Sequence, residues 1–222
     1  YTIIHNNSPD KRGIDCALLF DDNFKFLEKD FIKINIPNAR PTRDIVYVKL
    51  EIGNEILNIF VNHWPSRWGG KEKTEFKRIG TAKILKNYID KNIQNKNERI
   101  LIMGDFNDYP SDLSLSKTLK AKNKISNFNN QKLFNLMSTL ESENTGSYNY
   151  KGEWGFLDQI IVSSNLANNS KGCKVEKYGV FKEDWLLHER YGDTYPNRMY
   201  LGNEWQSGGF SDHLPIYCII KF

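Results

Sequence analysis

Asp105 and Asn107 stand two residues apart, directly behind the apolar run Ile100 to Met103 and Gly104. The run reads as a short buried β-strand that stops at a turn. In extended backbone, residues i and i+2 share a face. The spacing therefore predicts that Asp105 and Asn107 project together from the strand's end while Phe106 turns inward and anchors them. An acceptor beside a donor/acceptor at a sheet rim suits holding a water molecule against an electrophile. The same residue types build ordinary Asx turns, and this stretch alone does not separate the two readings.

Three further stretches carry chemistry. Ser211-Asp212-His213 enters a terminal apolar strand, placing a carboxylate and an imidazole side by side on opposite faces. Asp212 can hold a hard cation through oxygen, and His213 can bond a phosphoryl oxygen if another carboxylate fixes its tautomer. Asp158 heads the apolar strand Gln159 to Val162, where an unpaired carboxylate is costly and needs a cation or a donor such as His213. His63 closes a strand and is followed by Ser66, Arg67, Gly69 and Gly70, a grouping able to cradle an anion. Each stretch also has a plain structural reading: a surface Asp-His pair, a strand-start aspartate on a backbone amide, a histidine in a turn.

The elements that must position these residues follow from periodicity. Ile14 to Phe20 reads as a core strand, and Ile32, Ile34 and Ile36 alternate as in a half-buried strand. Val46 to Ile52 and Ile56 to Val61 flank Gly53-Asn54, a β-hairpin signal. Lys71 to Gln94 is the one long helix, with Phe76, Ile79, Ala82, Leu85, Ile89 and Ile93 on its apolar face. Leu113 to Leu119 reads as a short helix, Asn123 to Gln131 as an asparagine-rich loop, and Phe156 to Val162 and Leu214 to Phe222 as the last strands. Lys177 to Gly209 reads as a long irregular segment rich in aromatics, the kind of loop that is functional or mobile. Strands clustered early and late with few helices between them point to antiparallel sheets with helices outside.

At 222 residues, with 39% hydrophobic and 13% aromatic residues, the chain is expected to form a single α/β (α+β) domain spanning 1–222. No apolar run nears the roughly 20 residues of a membrane helix, so no membrane span is expected. Nothing at the N-terminus has the layout of a signal peptide, and the compartment stays open. The net charge of +4 permits a polyanionic partner without requiring one. Cys16, Cys173 and Cys218 are far apart and odd in number, which reads as buried thiols and not a zinc site or a disulfide framework. A monomer is the default.

Taken in order, strand-His63, strand-Gly104-Asp105-x-Asn107, strand-Asp158 and Ser211-Asp212-His213-x-Pro215 resemble the endonuclease/exonuclease/phosphatase superfamily. Arg12-Gly13-Ile14-Asp15 and its strand, and Arg43 before its own strand, extend the resemblance over nearly the whole chain. The resemblance implies a deoxyribonuclease-I-like fold, a four-layer sandwich of two mixed, mainly antiparallel sheets flanked by helices. It implies a divalent-metal phosphodiesterase in which Asp105 orients or deprotonates water and Asn107 holds that water or a phosphoryl oxygen. Asp158 would aim His213 and favour its charged form. Asp212 would sit in the shell of Mg²⁺ or Mn²⁺, His63 would contact the phosphate and protonate the leaving oxygen, and Arg43 and Arg67 would bind the anion.

Family members also carry an asparagine in a first strand and a metal-binding glutamate in the next helix, both before the Arg-Gly-Ile-Asp stretch. Here eleven residues precede Arg12 and no glutamate precedes Glu28, so the expectation is an N-terminally incomplete domain with weakened cation binding. Nucleic acid is the favoured phosphodiester substrate. The alternatives are a small-molecule or phospholipid phosphoesterase of the same fold and a catalytically impaired phosphate-binding module. Inositol phosphatase members have a Trp-Cys-Asp-Arg step where this chain has Phe156-Leu157-Asp158-Gln159, which lowers the phosphoinositide option.

Overall fold

The computed structural model describes residues 1–95, 97–123, 133–141, 145–167, 172–190 and 192–222. The expected asparagine-rich loop lies, beyond Asn123, outside the described residues, as does Tyr191. The chain opens with an antiparallel ribbon, β1 (Thr2–His5) and β2 (Ala17–Phe20). Next come β3 (Lys25–Ile32), β4 (Ile45–Ile52) and β5 (Glu55–His63), an antiparallel meander. Gly53 and Asn54 close the β4–β5 hairpin, Ile52 facing Glu55, and Gly53 supplies a positive φ of 58°. Helix α1 (Lys71–Asn92) crosses over, and β6 (Arg99–Asp105) returns parallel to β5.

The second half contains a π-helical turn (Ser114–Leu119), β7 (Ala121–Lys122), β8 (Leu133–Asn135), and the hairpin of β9 (Tyr148–Tyr150) and β10 (Glu153–Gly155). β11 (Asp158–Ser163), α2 (Ser164–Ala167) and β12 (Lys174–Val180) follow. Two small hairpins, β13 (Leu187–Arg190) with β14 (Asp193–Pro196) and β15 (Tyr200–Leu201) with β16 (Glu204–Trp205), precede β17 (Ile216–Lys221).

One mixed seven-stranded sheet in the order β3-β4-β5-β6-β11-β8-β7 forms the centre. Alternate residues of its strands serve two cores, as the period of two demands. On one face Tyr47, Phe60, Ile100, Ile102 and Ile161 meet Ala82, Leu85 and Ile89 of α1 and Leu115 and Leu119 of the π-helical turn. On the other, Val46, Val48, Leu50, Ile59, Leu101, Ile160 and Val162 meet the β1–β2 ribbon through Ile4, Leu18 and Phe20. The same face meets the antiparallel β12–β17 ribbon through Val175, Val180, Ile216 and Ile220. This is the deoxyribonuclease-I-like α/β sandwich.

Several local expectations change. The Ile32/Ile34/Ile36 alternation is not a strand: β3 ends at Ile32, and the two later isoleucines lie beyond it, with Ile34 buried and Ile36 packed under α1. The described residues of 177–209 are not one irregular loop but include the end of β12 and two hairpins. The buried face of α1 begins with Thr74 and Arg78, whereas Phe76 is exposed. The inner side of its first two turns is therefore polar, and it faces the loop that follows β6.

Candidate active site

Three site residues share one rung of the central sheet. In parallel register His63 of β5 faces Asp105 of β6, and in antiparallel register Asp105 faces Asp158 of β11. Residues opposite one another on adjacent strands project to the same side, so the ladder itself gathers an imidazole and two carboxylates. Gly104 lies one rung back, between Asn62 and Gln159, with φ of 129°. A methyl group there would overlap the Asn62 carbonyl oxygen. The close approach and the positive φ both require glycine.

Past Asp105 the chain turns sharply, with Asn107 left-handed at φ 50°. Asp105 Oδ1 accepts from the Asn107 backbone N–H at 2.7 Å, and Oδ2 accepts from Asn107 Nδ2 at 3.1 Å. Nδ2 also donates to the Trp64 carbonyl at 3.1 Å. Both partners are acceptors, which fixes the amide orientation and leaves Asn107 Oδ1 without a partner among the described residues. Phe106 is fully buried against Trp64, as the anchoring role requires.

His213 arrives from the second layer. Its Nδ1 lies 2.7 Å from Asp158 Oδ2, and the same oxygen accepts from Ser147 Oγ at 2.6 Å. Ser147 also binds the chain carrying His213, since Leu214 N–H donates to the Ser147 carbonyl at 2.7 Å. Its neighbour Tyr148 bridges to His213 and lays its ring 4.7 Å from the imidazole. Nothing in the spacing of the sequence points to Ser147. Only the fold reveals it.

The two histidines are tuned in opposite directions. Burial, then the positive charges of Arg43 and His213, push His63 down to about 4. Burial alone would lower His213 as well, but the hydrogen bond and charge of Asp158, with Asp105 and Asp212 behind it, raise it to about 9. Near neutral pH His63 is uncharged and His213 is an imidazolium. His63 Nε2 sits 3.4 Å from Asp105 Oδ2. Burial and the charge of Asp158 hold the Asp105 carboxyl well above the usual carboxylate range.

Two expected anion contacts are otherwise engaged. Arg43 is 3% exposed, donating to Asp10 Oδ2 and the Trp64 carbonyl at 3.0 Å each, so it buttresses the site from below. Asp10, held well below the usual carboxylate range chiefly by its hydrogen bond to Arg12, was not legible as a partner. Arg67 spends Nε on the Asn107 carbonyl and Nη2 on Asp112 and Asp108. Asp212, expected as the metal ligand, is exposed beyond the rung. Among the described residues, Asp105, Asp158 and His213 bring ligand-type atoms within 4.8 Å of one another, and with His213 charged and bonded to Asp158 the two carboxylates are the members able to hold an ion. Asp158 Oδ1 has no protein partner among the described residues, and the two crowded carboxylates offer oxygen, the ligand type of Mg²⁺ and Mn²⁺.

Among solved structures, the human nocturnin catalytic domain with bound sulfate matches with a TM-score of 0.63 at 18% identity, over 100% of this chain and 72% of that one. D. rerio TDP2 in complex with a single-strand DNA product matches at 0.58 and 15%, over 93% and 72%. A mannosyl-6-phosphatase of Bacteroides thetaiotaomicron VPI-5482 matches at 0.60 and 17%, over 93% and 70%. No curated protein matches. Shared backbone at such low identity establishes the fold alone. The sequence itself fits one family over residues 1–221, and by that match, on the fold just described, the chain belongs to the Endonuclease/Exonuclease/phosphatase family.

Proposed function

We propose that this protein hydrolyses phosphodiesters with the help of a divalent cation, nucleic acid being the favoured substrate. The observation carrying the reading is the meeting of Asp105, Asn107, Asp158 and His213 in one site from elements spread over more than a hundred positions. Phosphoester cleavage needs an oriented water, charge neutralisation and a proton for the leaving oxygen. Asn107 Oδ1 and the Asp105 carboxylate accept the hydrogens of the attacking water and aim its lone pair. Burial and Asp158 raise the Asp105 carboxyl when no cation is bound, and a bound dication would offset both, keeping Asp105 a carboxylate that accepts from the water. His213, fixed by Asp158 and Ser147, offers Nε2–H to the phosphoryl or leaving oxygen. His63, neutral, lines the opposite side. Asp105 and Asp158 would hold Mg²⁺ or Mn²⁺ through oxygen, and the ion, when bound, supplies Lewis-acid stabilisation of the negative charge on phosphorus oxygens.

Nucleic acid is favoured because exposed aromatics flank His213. Phe181, Trp185 and Phe210 form an edge-to-face series that ends at Phe210, the residue before Ser211, and Phe181 N–H donates to the Pro215 carbonyl; every base offers a face to stack on such rings. D. rerio TDP2 in complex with a single-strand DNA product has this fold. A second reading, a small sugar-phosphate or similar phosphoester, has its own support in the likeness to the mannosyl-6-phosphatase. A panel of single-stranded DNA, RNA, an activated phosphodiester and sugar phosphates, each with Mg²⁺, Mn²⁺ or chelator, tests both. Cleavage confined to the monoesters would select the second reading, and cleavage undiminished in chelator would defeat the metal-assisted one.

A further inference from the structure

We propose that Arg67 is a positioning residue that sets Asn107 in its working conformation, with the buried Arg78–Asp108 pair as its footing. This rests on the reading of Asn107 as the residue that aims the water.

Asn107 occupies left-handed backbone at φ 50°, a conformation that persists where the surroundings over-determine it. Its side chain is fixed by Trp64 and Asp105, but that fixes the amide only if the backbone stays in place. The backbone handle is the Asn107 carbonyl, which accepts from Arg67 Nε at 2.6 Å. Three of the next five residues, Asp108, Tyr109 and Asp112, are held by the same network. Asp108 is 0% exposed and accepts from Arg78 Nε at 2.6 Å, Ser114 Oγ at 2.6 Å and Arg67 Nη2 at 3.2 Å. The Tyr109 ring lies under the Arg67 guanidinium, 4.5 Å from its centroid. Asp112 accepts from the Tyr109 N–H at 2.8 Å, from Arg67 at 2.6 Å and from Lys71 Nζ at 2.6 Å. Arg78, itself fully buried, is anchored on Thr74 Oγ1 and the Lys71 carbonyl.

Buried ion pairs of this kind contribute little net stability, because desolvation offsets attraction. What they supply is geometry: a planar guanidinium donates in fixed directions, and an ammonium cannot reproduce that fork. The network therefore serves to keep the 107–112 turn in register with the first two turns of α1. It also explains why the inner face there is Thr74 and Arg78, not apolar.

The test compares Arg67→Lys and Arg67→Ala with the parent protein on an activated phosphodiester with Mn²⁺, alongside NMR of the Asn107 side-chain amide. The expected result is a loss of about 10²-fold in kcat, with KM little changed and no rescue by lysine, the size of effect that small misplacements produce. The Asn107 amide resonances should shift or broaden in both variants. A rise in KM at constant kcat, with lysine restoring activity, would make Arg67 a phosphate contact and overturn the proposal. Unchanged Asn107 resonances would overturn it as well. If the parent protein cleaves no phosphoester, the functional reading fails, while the amide spectra still decide whether Arg67 positions Asn107.

Discussion

The two layers that build the site do so by different means. On the central sheet, β5, β6 and β11 are almost wholly buried along their middles, and the hydrogen-bond ladder aligns His63, Asp105 and Asp158 on one rung. In the second layer each ribbon has two strands among the described residues, and β12 and β17 are at best half-buried. That layer contributes His213, held by one bond to Asp158, a bridge to Tyr148 and the Ser147–Leu214 contact. Precision on the sheet comes from backbone pairing. In the second layer it has to come from side chains.

Removing either half of the chemistry should have the largest effect. Asp105→Ala and His213→Ala are each expected to cut kcat by about 10³-fold, the range for losing a general acid–base group or a preorganised donor. Circular dichroism should stay near the parent spectrum, while His213→Ala should melt lower near neutral pH because the charged His213–Asp158 pair is lost. The halves should part company at Ser147→Ala. It spares the ladder but releases Asp158 and loosens His213, so about a 10-fold loss of kcat is expected. Equal rates for Ser147→Ala and the parent protein would mean that the ribbon layer places His213 unaided.

Backbone on the sheet should be intolerant where the ladder is tightest. Gly104→Ala forces a methyl against the Asn62 carbonyl at a positive φ. A loss of more than about 2 kcal/mol by urea denaturation is expected. A smaller loss would mean that β5 and β6 can separate at this end without cost.

Much of the sheet half was legible because its signals are local. An apolar run followed by Gly-Asp-x-Asn announces a strand and its turn, and Gly53-Asn54 between two β-rich runs announces a hairpin. The α1 boundaries differ from expectation only at the C-terminal end, at Asn92 instead of Gln94. What failed was whatever depends on distant partners. β3 is a charged edge strand, Lys25 to Ile32, with little apolar alternation, while the alternating isoleucines after it are buried by α1 without a ladder. β13 and β14 carry His, Glu, Arg and Asp, so no periodicity betrays them. Ser147, Asp10 and Asp108 gain meaning only through His213, Arg43 and Arg78, far away in sequence. Arg43 was read from the resemblance and Arg67 also from its charge beside paired glycines, and neither says whether a guanidinium faces solvent or an internal carboxylate.

The pairing of layers also has a pH signature. A histidine raised to about 9 stabilises the fold through its charged form. That contribution is complete below the unfolded value near 6.5 and is lost as pH rises through about 9. NMR titration should show His213 with a midpoint near 9 and His63 with one near 4. Asp158→Asn should bring the His213 midpoint down while leaving the fold cooperative. A His213 midpoint that does not move would remove Asp158 as its partner.

The smallest effects belong on the outer faces of the ribbons. Along β17, Ile216, Cys218 and Ile220 point into the core, which leaves Ile219 on the other side at 48% exposure. In β2 the same alternation buries Leu18 and leaves Leu19 58% exposed. Leu18→Ala should cost about 2–5 kcal/mol, the cost of a core cavity. Ile219→Thr and Leu19→Thr should each stay within about 0.5 kcal/mol in urea titrations, because surface substitutions with no buried partner change little. A loss for Ile219→Thr as large as for Leu18→Ala would show that the outer face is covered in solution. The second layer would then be as firmly held as the first, and the contrast between ladder-set and side-chain-set residues would have to be replaced by one between two equally supported sheets.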